Sequence, residues 1–304
     1  MQIVVVGSVA LDTIHVPGRV GRDLLGGSAA YFALAATSLA RVGIVAVVGD
    51  DFPPEYLELL RLLRVDVSGL EQRPGATFRW EGVYGADLKG RRSLRTELGV
   101  FADFHPRLPP EYRDAAVLFL ANIHPELQEE VLASAGNVDL VAVDTMDFWI
   151  RGSRAALRRV IGRADLLLIN DEEAELLTGH SSLPEAAAEI RAMGPQIVVV
   201  KRGPHGTVAL GPWGWLGVPA VPVKDVRDPT GAGDSFAGGM LGYLAGRDWR
   251  DRATCATSLA VGTATASYAI QGYGVTALAL LTPSGLCERC RRLHELTHFE
   301  PLAG

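Results

Sequence analysis

Cysteine is scarce in this chain of 304 residues: Cys255, Cys287 and Cys290 are its whole complement. So few, and an odd number, exclude a disulfide framework and point to a reducing, cytoplasmic compartment. Basic excess is missing too. The formal net charge is −6, which leaves no electrostatic footprint for a nucleic-acid backbone. No apolar run approaches the ~18 residues that a membrane span requires. The opening MQIVVVGSVALD carries neither a basic leader nor a cleavage pattern, so it reads as a buried first strand rather than a signal peptide. Low-complexity linkers and internal repeats are absent as well, and one domain over residues 1–304 is the expectation.

A zinc centre is the one metal site the cysteines suggest, because Cys287-x-x-Cys290 is followed by His294 and His298. On a single helix over 284–298, Cys287 and His298 would stand ~16 Å apart along the axis, so the four cannot share an ion. A pair such as His294 and His298 can hold an adventitious metal, but the segment reads as a plain amphipathic C-terminal helix.

What the chain does have is a hydrophobic content of 48%, enough for a large core, arranged in short β-branched runs. Ile3–Val6, Ile44–Val48, 116–120, Leu140–Val143, Leu166–Ile169 and Ile197–Val200 are continuous rather than alternating, as parallel strands buried on both faces are. Helical patterns at 29–39, 55–63, 154–161 and 183–193 fall between them. This alternation predicts an α/β fold, a doubly wound and mainly parallel sheet with helices on both faces. Two stretches break the rhythm, at about 13–25 and 76–100. In the second, Phe78, Trp80 and Tyr84 keep a period of two before an Asp87–Gly90 turn. Together they predict a small inserted β-flap, a lid over one end of the sheet. A few strands are not stable alone in water. The aromatic face therefore packs on the main domain or on a second subunit's lid, the latter making a homodimer.

The strongest local pattern is Asp228-Pro-Thr-Gly-Ala-Gly-Asp-Ser-Phe236. A turn of small residues opening a helix presents the N–H groups of Gly231, Ala232 and Gly233, with the positive end of the helix dipole, to an anion. Asp234 at its edge can take a proton from a hydroxyl attacking the bound phosphoryl group, or can simply cap the helix.

This pattern resembles the C-terminal signature of the ribokinase-like (PfkB) carbohydrate kinases, and further resemblances run along the chain in order. Gly7-Ser-Val-Ala-Leu-Asp12 is similar to that family's first strand and its substrate-binding aspartate, and Gly26-Gly27-Ser28 to its glycine pair. Asn170-Asp-Glu-Glu173 resembles its Asn-x-x-Glu motif, and Lys201-Arg-Gly203-Pro-His-Gly206 the hairpin beside the nucleotide. The resemblance implies a kinase that uses ATP and Mg²⁺ to phosphorylate an alcohol group of a small polar metabolite, a sugar first of all. Asp234 would be its catalytic base, and Asn170 and Glu173 would hold Mg²⁺ through water. Lys201, Gly203, Gly206, Thr230 and Thr263 would line the nucleotide, and Asp228, with Thr230, would adjoin a monovalent cation such as K⁺. Substrate contacts would come from Asp12, Gly26, Gly27, Ser28, Tyr31 and Asn122. Independently of the resemblance, Asp12, Asn122, Asp144 and Asn170 follow predicted strand ends, where open α/β sheets bind ligands.

Two departures bear on the acceptor. Tyr31 stands where many members carry asparagine, and Met146 and Phe148 stand where asparagine and arginine are common. Without that arginine an acidic sugar is disfavoured. Tyr31 and Trp149 are ring surfaces for a sugar, cyclitol or base, or else core residues, the preferred reading for Trp149. Lys89, Arg91, Arg92 and Arg95 form a basic cluster that reads as a solvated turn, or as a contact for a phosphorylated substrate. Alternatives to a sugar kinase are a nucleoside or cyclitol (inositol-type) kinase and a catalytically silent nucleotide- or sugar-binding protein. A dinucleotide-dependent oxidoreductase is excluded, since Gly7-Ser-Val-Ala10 lacks the remaining glycines of that fingerprint.

Overall fold

Continuous apolar runs become strands with no exposed face. In chain order the strands are β1 (Ile3–Val6), β2 (Ala10–Val16), β3 (Arg19–Gly26), β4 (Val42–Gly49), β5 (Asp66–Arg73), β6 (Arg79–Tyr84), β7 (Arg91–Glu97), β8 (Val117–Leu120), β9 (Leu140–Asp144), β10 (Leu166–Asn170), β11 (Ile197–Lys201), β12 (Thr207–Gly211) and β13 (Gly214–Val218). The helices are α1 (Ser28–Ala36), α2 (Pro54–Leu62), α3 (Pro125–Ser134), α4 (Asp147–Gly152), α5 (Arg154–Ile161), α6 (Asp171–Thr178), α7 (Leu183–Ala192), α8 (Ala232–Leu244), α9 (Arg252–Ala269), α10 (Thr276–Ala279) and α11 (Pro283–Thr297). The computed structural model describes residues 1–88 and 90–297, so Lys89 and His298 lie outside the described residues.

Nine strands form one sheet in the order β13-β12-β11-β10-β9-β8-β1-β4-β5. All pairings from β5 to β11 are parallel, and β12 and β13 add an antiparallel hairpin at one edge. Residues alternate between the two faces. In β1, Ile3 and Val5 join the core with α1, α8 and α9, while Val4 and Val6 join the core with α3, α5, α6 and α7. The chain first builds outward from β1 to β4 and β5, then returns to β8 on the other side of β1. That reversal opens a crevice at the carboxyl ends of the central strands. Among the described residues no helix is long and apolar enough to cross a membrane. Cys287 is exposed and Cys290 half-buried on α11.

The lid is a second sheet in the order β3-β2-β6-β7. Its aromatic face packs within its own chain. Trp80 and Tyr84 gather with Ile14, Val16 and Leu24 against Tyr273, which follows α9. Phe78 leaves that set and stacks instead on Phe101, with ring centroids 5.4 Å apart. At the root of the lid, Asp51 accepts hydrogen bonds from the N–H (2.7 Å) and hydroxyl (2.6 Å) of Thr77. The Gly49 N–H donates to that same hydroxyl at 3.0 Å, which ties β6 to the carboxyl end of β4.

Candidate active site

The turn before α8 is built as its sequence demands. Gly231 is the N-cap residue in the left-handed region, at φ 71°. A Cβ there would also overlap the Tyr31 ring, so glycine is required twice over. Tyr31 is thus the floor of the turn, only 1% exposed, and not an open surface for a substrate ring. Its hydroxyl is buried with no partner among the described residues. The Ala232 N–H is drawn back to the Pro229 carbonyl at 3.3 Å. The N–H groups of Gly231 and Gly233 meet no acceptor among the described residues and are the two left for an anion. Asp228, buried beneath, accepts from the N–H of Thr230 (2.9 Å) and of Gly274 (3.0 Å).

Asp234 sits in the first turn of α8, half-buried and without an ion pair among the described residues. Burial first, and then the charge of Asp144, push its carboxyl up to about 7, against the pull of Lys201 and Arg91. A base with that affinity suits proton transfer near neutral pH. Asp144, the last residue of β9, accepts at 2.7 Å from Lys201 Nζ, the last residue of β11. Burial alone would depress the Lys201 ammonium, but Asp144, Glu173 and Asp234 together raise it, so it stays charged. A Cβ on Gly233 would lie 3.4 Å from Lys201 Nζ.

Asp12 faces this group from the lid side. It does not trail β1 as a turn residue. It lies inside β2 and is 3% exposed, because the chain turns directly from β1 into the lid and β2 bulges between Asp12 and Ile14. Gly26 is opposite, where any Cβ would overlap the Asp12 carboxylate. Gly27 (φ 91°) starts α1, and its backbone N–H pulls the Asp12 carboxyl's proton affinity down. The glycine pair therefore makes room for a carboxylate as much as for a ligand. Burial, then Asp228 and Asp234, lift Asp12 to about 8. Ser28 does not point into the crevice; it exchanges hydrogen bonds with Ser8, N–H to Oγ in both directions at 3.1 and 3.2 Å.

Two lid residues join the site: Tyr84, which the sequence does not single out for it, and Arg91, one of the basic cluster that reads as a solvated turn or a substrate contact. Tyr84 Oη is 3.0 Å from Thr230 Oγ1, so β6 rests on the anion turn. Arg91 is the cross-strand partner of Tyr84 and shares its face, which directs the guanidinium at the same crevice. It lowers the proton affinity of Asp12, Glu173 and Asp234 alike. Arg95 pairs with Glu97 instead.

Where β10 hands over to α6, Asn170 and Glu173 form a capping box: the Glu173 N–H donates to Asn170 Oδ1 at 2.7 Å, and the Asn170 N–H donates to Glu173 Oε2 at 3.0 Å. Burial above all lifts Glu173 to about 7, which marks a carboxylate short of positive charge. No group of three or more His, Cys, Asp or Glu among the described residues is arranged to hold a metal. A magnesium ion here fits only as one carried by phosphate oxygens and water, with Glu173 as its carboxylate, the usual manner of that ion. Beside β11, Gly203 (φ 50°) borders open space, and Gly206 (φ 83°) packs on the Val218 carbonyl. Thr263, on α9, buries its hydroxyl without a partner among the described residues. Asn122 is committed elsewhere. Its Oδ1 accepts from Trp149 Nε1 at 2.7 Å, and its amide donates to Met146 Sδ. Trp149 is consequently half-buried at the strand ends, not core, edge-on to His124 and Phe148.

The profile of the pfkB family carbohydrate kinases matches residues 2–282. The chain belongs to that family. Over 256 residues it is 34% identical to the cytidine kinase of Thermococcus kodakarensis, covering 81% of this chain and 90% of that one. It is 32% identical to the 2-dehydro-3-deoxygluconokinase of Thermoproteus tenax over 78% of this chain and 79% of the other. The crystal structure of the nucleoside kinase of Methanocaldococcus jannaschii, an archaeal member of the ribokinase family, superposes with a TM-score of 0.78. It is 22% identical and covers 96% of this chain and 99% of that one, a likeness of fold. The doubly wound sheet with a small separate lid is thus the family's architecture.

Proposed function

We propose that this chain is an ATP-dependent kinase whose acceptor is a hydroxyl group of a nucleoside. One observation carries the reaction type: Asp234, without an ion pair among the described residues and raised to about 7, stands beside two unspent amides with Asp12 facing it across the crevice. Asp12 orients the acceptor. Asp234 takes the hydroxyl proton as the acceptor oxygen bonds to the γ-phosphorus, the bond from that phosphorus to the β-phosphate oxygen breaks, and ADP leaves. Positioning and charge stabilisation carry most of such a step. Magnesium, carried through Glu173 and the Asn170 side, supplies charge neutralisation to the phosphate oxygens when bound. Asp228, buried and raised by desolvation, suits a nearby monovalent cation such as K⁺.

The acceptor class rests on the cytidine kinase likeness and on the strand-end aromatics. Phe148 is 61% exposed in the place of the arginine an acidic sugar would use, and with Trp149 and His124 it offers faces for a planar base. We read residues 1–304 as one kinase domain of the cytoplasm, its lid drawn from about 13–25 and 76–100. A homodimer through the lid would cover β7, whose outer run Arg91–Thr96 is exposed.

The test is ADP release over a panel of nucleosides, sugars and cyclitols, with product mass recorded. The expected outcome is a nucleoside monophosphate. Faster turnover of ribose or fructose than of every nucleoside would overturn the acceptor class, and ATP binding without ADP release on any acceptor would favour a silent binder.

A further inference from the structure

The Lys201–Asp144 pair has a geometry that an ordinary structural ion pair does not need. Lys201 ends β11 and Asp144 ends β9, with β10 between them. Two strand spacings are roughly 9–10 Å, so the lysine side chain must lie across the end of β10 to reach its partner at 2.7 Å. It therefore roofs the strand ends instead of extending to solvent, and its side chain is only 17% exposed. The ammonium comes to rest beside Gly233, 3.4 Å from where a Cβ on that residue would stand. An ammonium has three N–H donors. One goes to Asp144, and the other two meet no acceptor among the described residues. Two unspent ammonium donors thus adjoin Gly233, whose unspent amide lies in the same turn as that of Gly231.

We propose that Lys201 is a resident cation of the phosphoryl site, donating to an oxygen of the transferred γ-phosphoryl group, and that Asp144 is the positioning residue that holds it there. This rests on the kinase reading of the same site. In the balanced step the acceptor proton passes to Asp234, the acceptor oxygen bonds to phosphorus, the bridging oxygen departs with ADP, and Lys201 keeps its protons throughout. Its positive charge opposes the charge on the equatorial oxygens, where pre-set donors in a dry site are worth most. The groups that face Asp234 are Asp144 from β9, Lys201 from β11, Arg91 and Asp12 from the lid, and Tyr31 from α1. Lys201 and Asp144 act on it with opposite sign.

The experiment compares ADP with the non-hydrolysable β,γ-imido analogue of ATP, in magnesium, by titration calorimetry on the full chain, without any acceptor. Lys201→Met should weaken the analogue about tenfold or more, the scale of a charge-assisted hydrogen bond, and ADP by less than about threefold. Asp144→Asn should show the same selectivity to a lesser degree. It also keeps the proposal testable if Lys201→Met does not fold for want of a cation among three carboxylates. With cytidine as acceptor, the acidic limb of kcat/KM should move to higher pH in Lys201→Met and to lower pH in Asp144→Asn. Equal weakening of both nucleotides, or limbs that move in the same direction, overturns the role of Lys201 while leaving the kinase reading intact. Failure of the wild type to bind either nucleotide overturns that reading itself.

Discussion

The two halves of the crevice are charged in different ways. On the sheet side, the carboxylates Asp144, Glu173 and Asp234 share a buried lysine, and two backbone amides remain unspent. On the lid side, Asp12 and Asp228 are buried with no ion pair among the described residues, next to the hydroxyls of Tyr31, Tyr84 and Thr230. The first half has fixed donors waiting for an anion. In the second, Asp228 already accepts from the N–H groups of Thr230 and Gly274, which leaves Asp12 as the acceptor for the hydroxyls of the proposed nucleoside's ribose. An acidic acceptor would add charge where two carboxylates are already lifted out of their ordinary range. On the proposed reading, the contrast would keep phosphate and alcohol in separate places before any chemistry occurs.

The largest effect expected is on the sheet side. Asp234→Asn should lower kcat by about 10²-fold or more while leaving nucleotide binding in place. In the wild type, Asp234 accepts a proton only when ionised, and burial has raised it to about 7. kcat/KM should therefore climb as pH rises through about 7 and lose that limb in the asparagine variant. Near-normal turnover in the variant would remove the distinction between the two carboxylates, because Asp12 would then be an equal candidate for the base.

Asp12→Asn should act on the other half alone. The acceptor KM should rise about 10-fold to 100-fold, and the ATP KM should change by less than about twofold, as expected when one charged hydrogen-bond acceptor is lost. Stability provides a second readout with a definite sign. Asp12 is raised to about 8 in the fold, so it binds a proton there at pH values where the unfolded chain has lost it. Wild-type stability from this group is full below the ordinary carboxylate range and declines as pH rises through 8. The neutral variant should thus melt about 2–4 °C higher at pH 9, the shift that ~1 kcal/mol gives a chain of this size, and gain less at pH 6. A variant that melts lower at pH 9 would mean that Asp12 has an ionic partner after all.

The same division governs what could be read in the sequence. The sheet-side residues were legible because buried parallel strands are continuous apolar runs, and Asn170 and Lys201 end such runs. The anion turn was legible because small residues before a helix admit few other uses. Lid-side contacts depend on register, which no local pattern carries. Arg91 is aimed by its pairing with Tyr84, and its neighbours in sequence are not. Whether Tyr31 is a ring surface or a core residue stays open in the sequence because the residue it supports, Gly231, is distant in the chain. Trp149 was assigned to the core by its type, whereas a single hydrogen bond to Asn122 keeps it at the rim.

Arg91 tests whether the lid lends charge to both halves. Its guanidinium lowers the proton affinity of Asp12 and Asp234 together, so Arg91→Gln should shift the acidic limb of kcat/KM upward and cost about tenfold in that ratio. The fold should be unaffected, since Arg91 is exposed on an edge strand. An unmoved limb would confine the lid's role to covering the acceptor.

The smallest effect separates covering from charge. Tyr84→Phe removes the hydroxyl that rests β6 on Thr230 at 3.0 Å while keeping the ring in the lid core and Arg91 in register. One neutral hydrogen bond contributes about 1 kcal/mol, so kcat/KM should fall only about two- to fivefold. What should change more is coupling. With the lid less often seated on the anion turn, water gains entry, and the ratio of ATP hydrolysed to acceptor phosphorylated should rise. The acidic limb should stay where it is, because no charge has been altered. If Tyr84→Phe moves that limb as far as Arg91→Gln does, seating and charge are one property of the lid, and the two halves of the crevice are not independent.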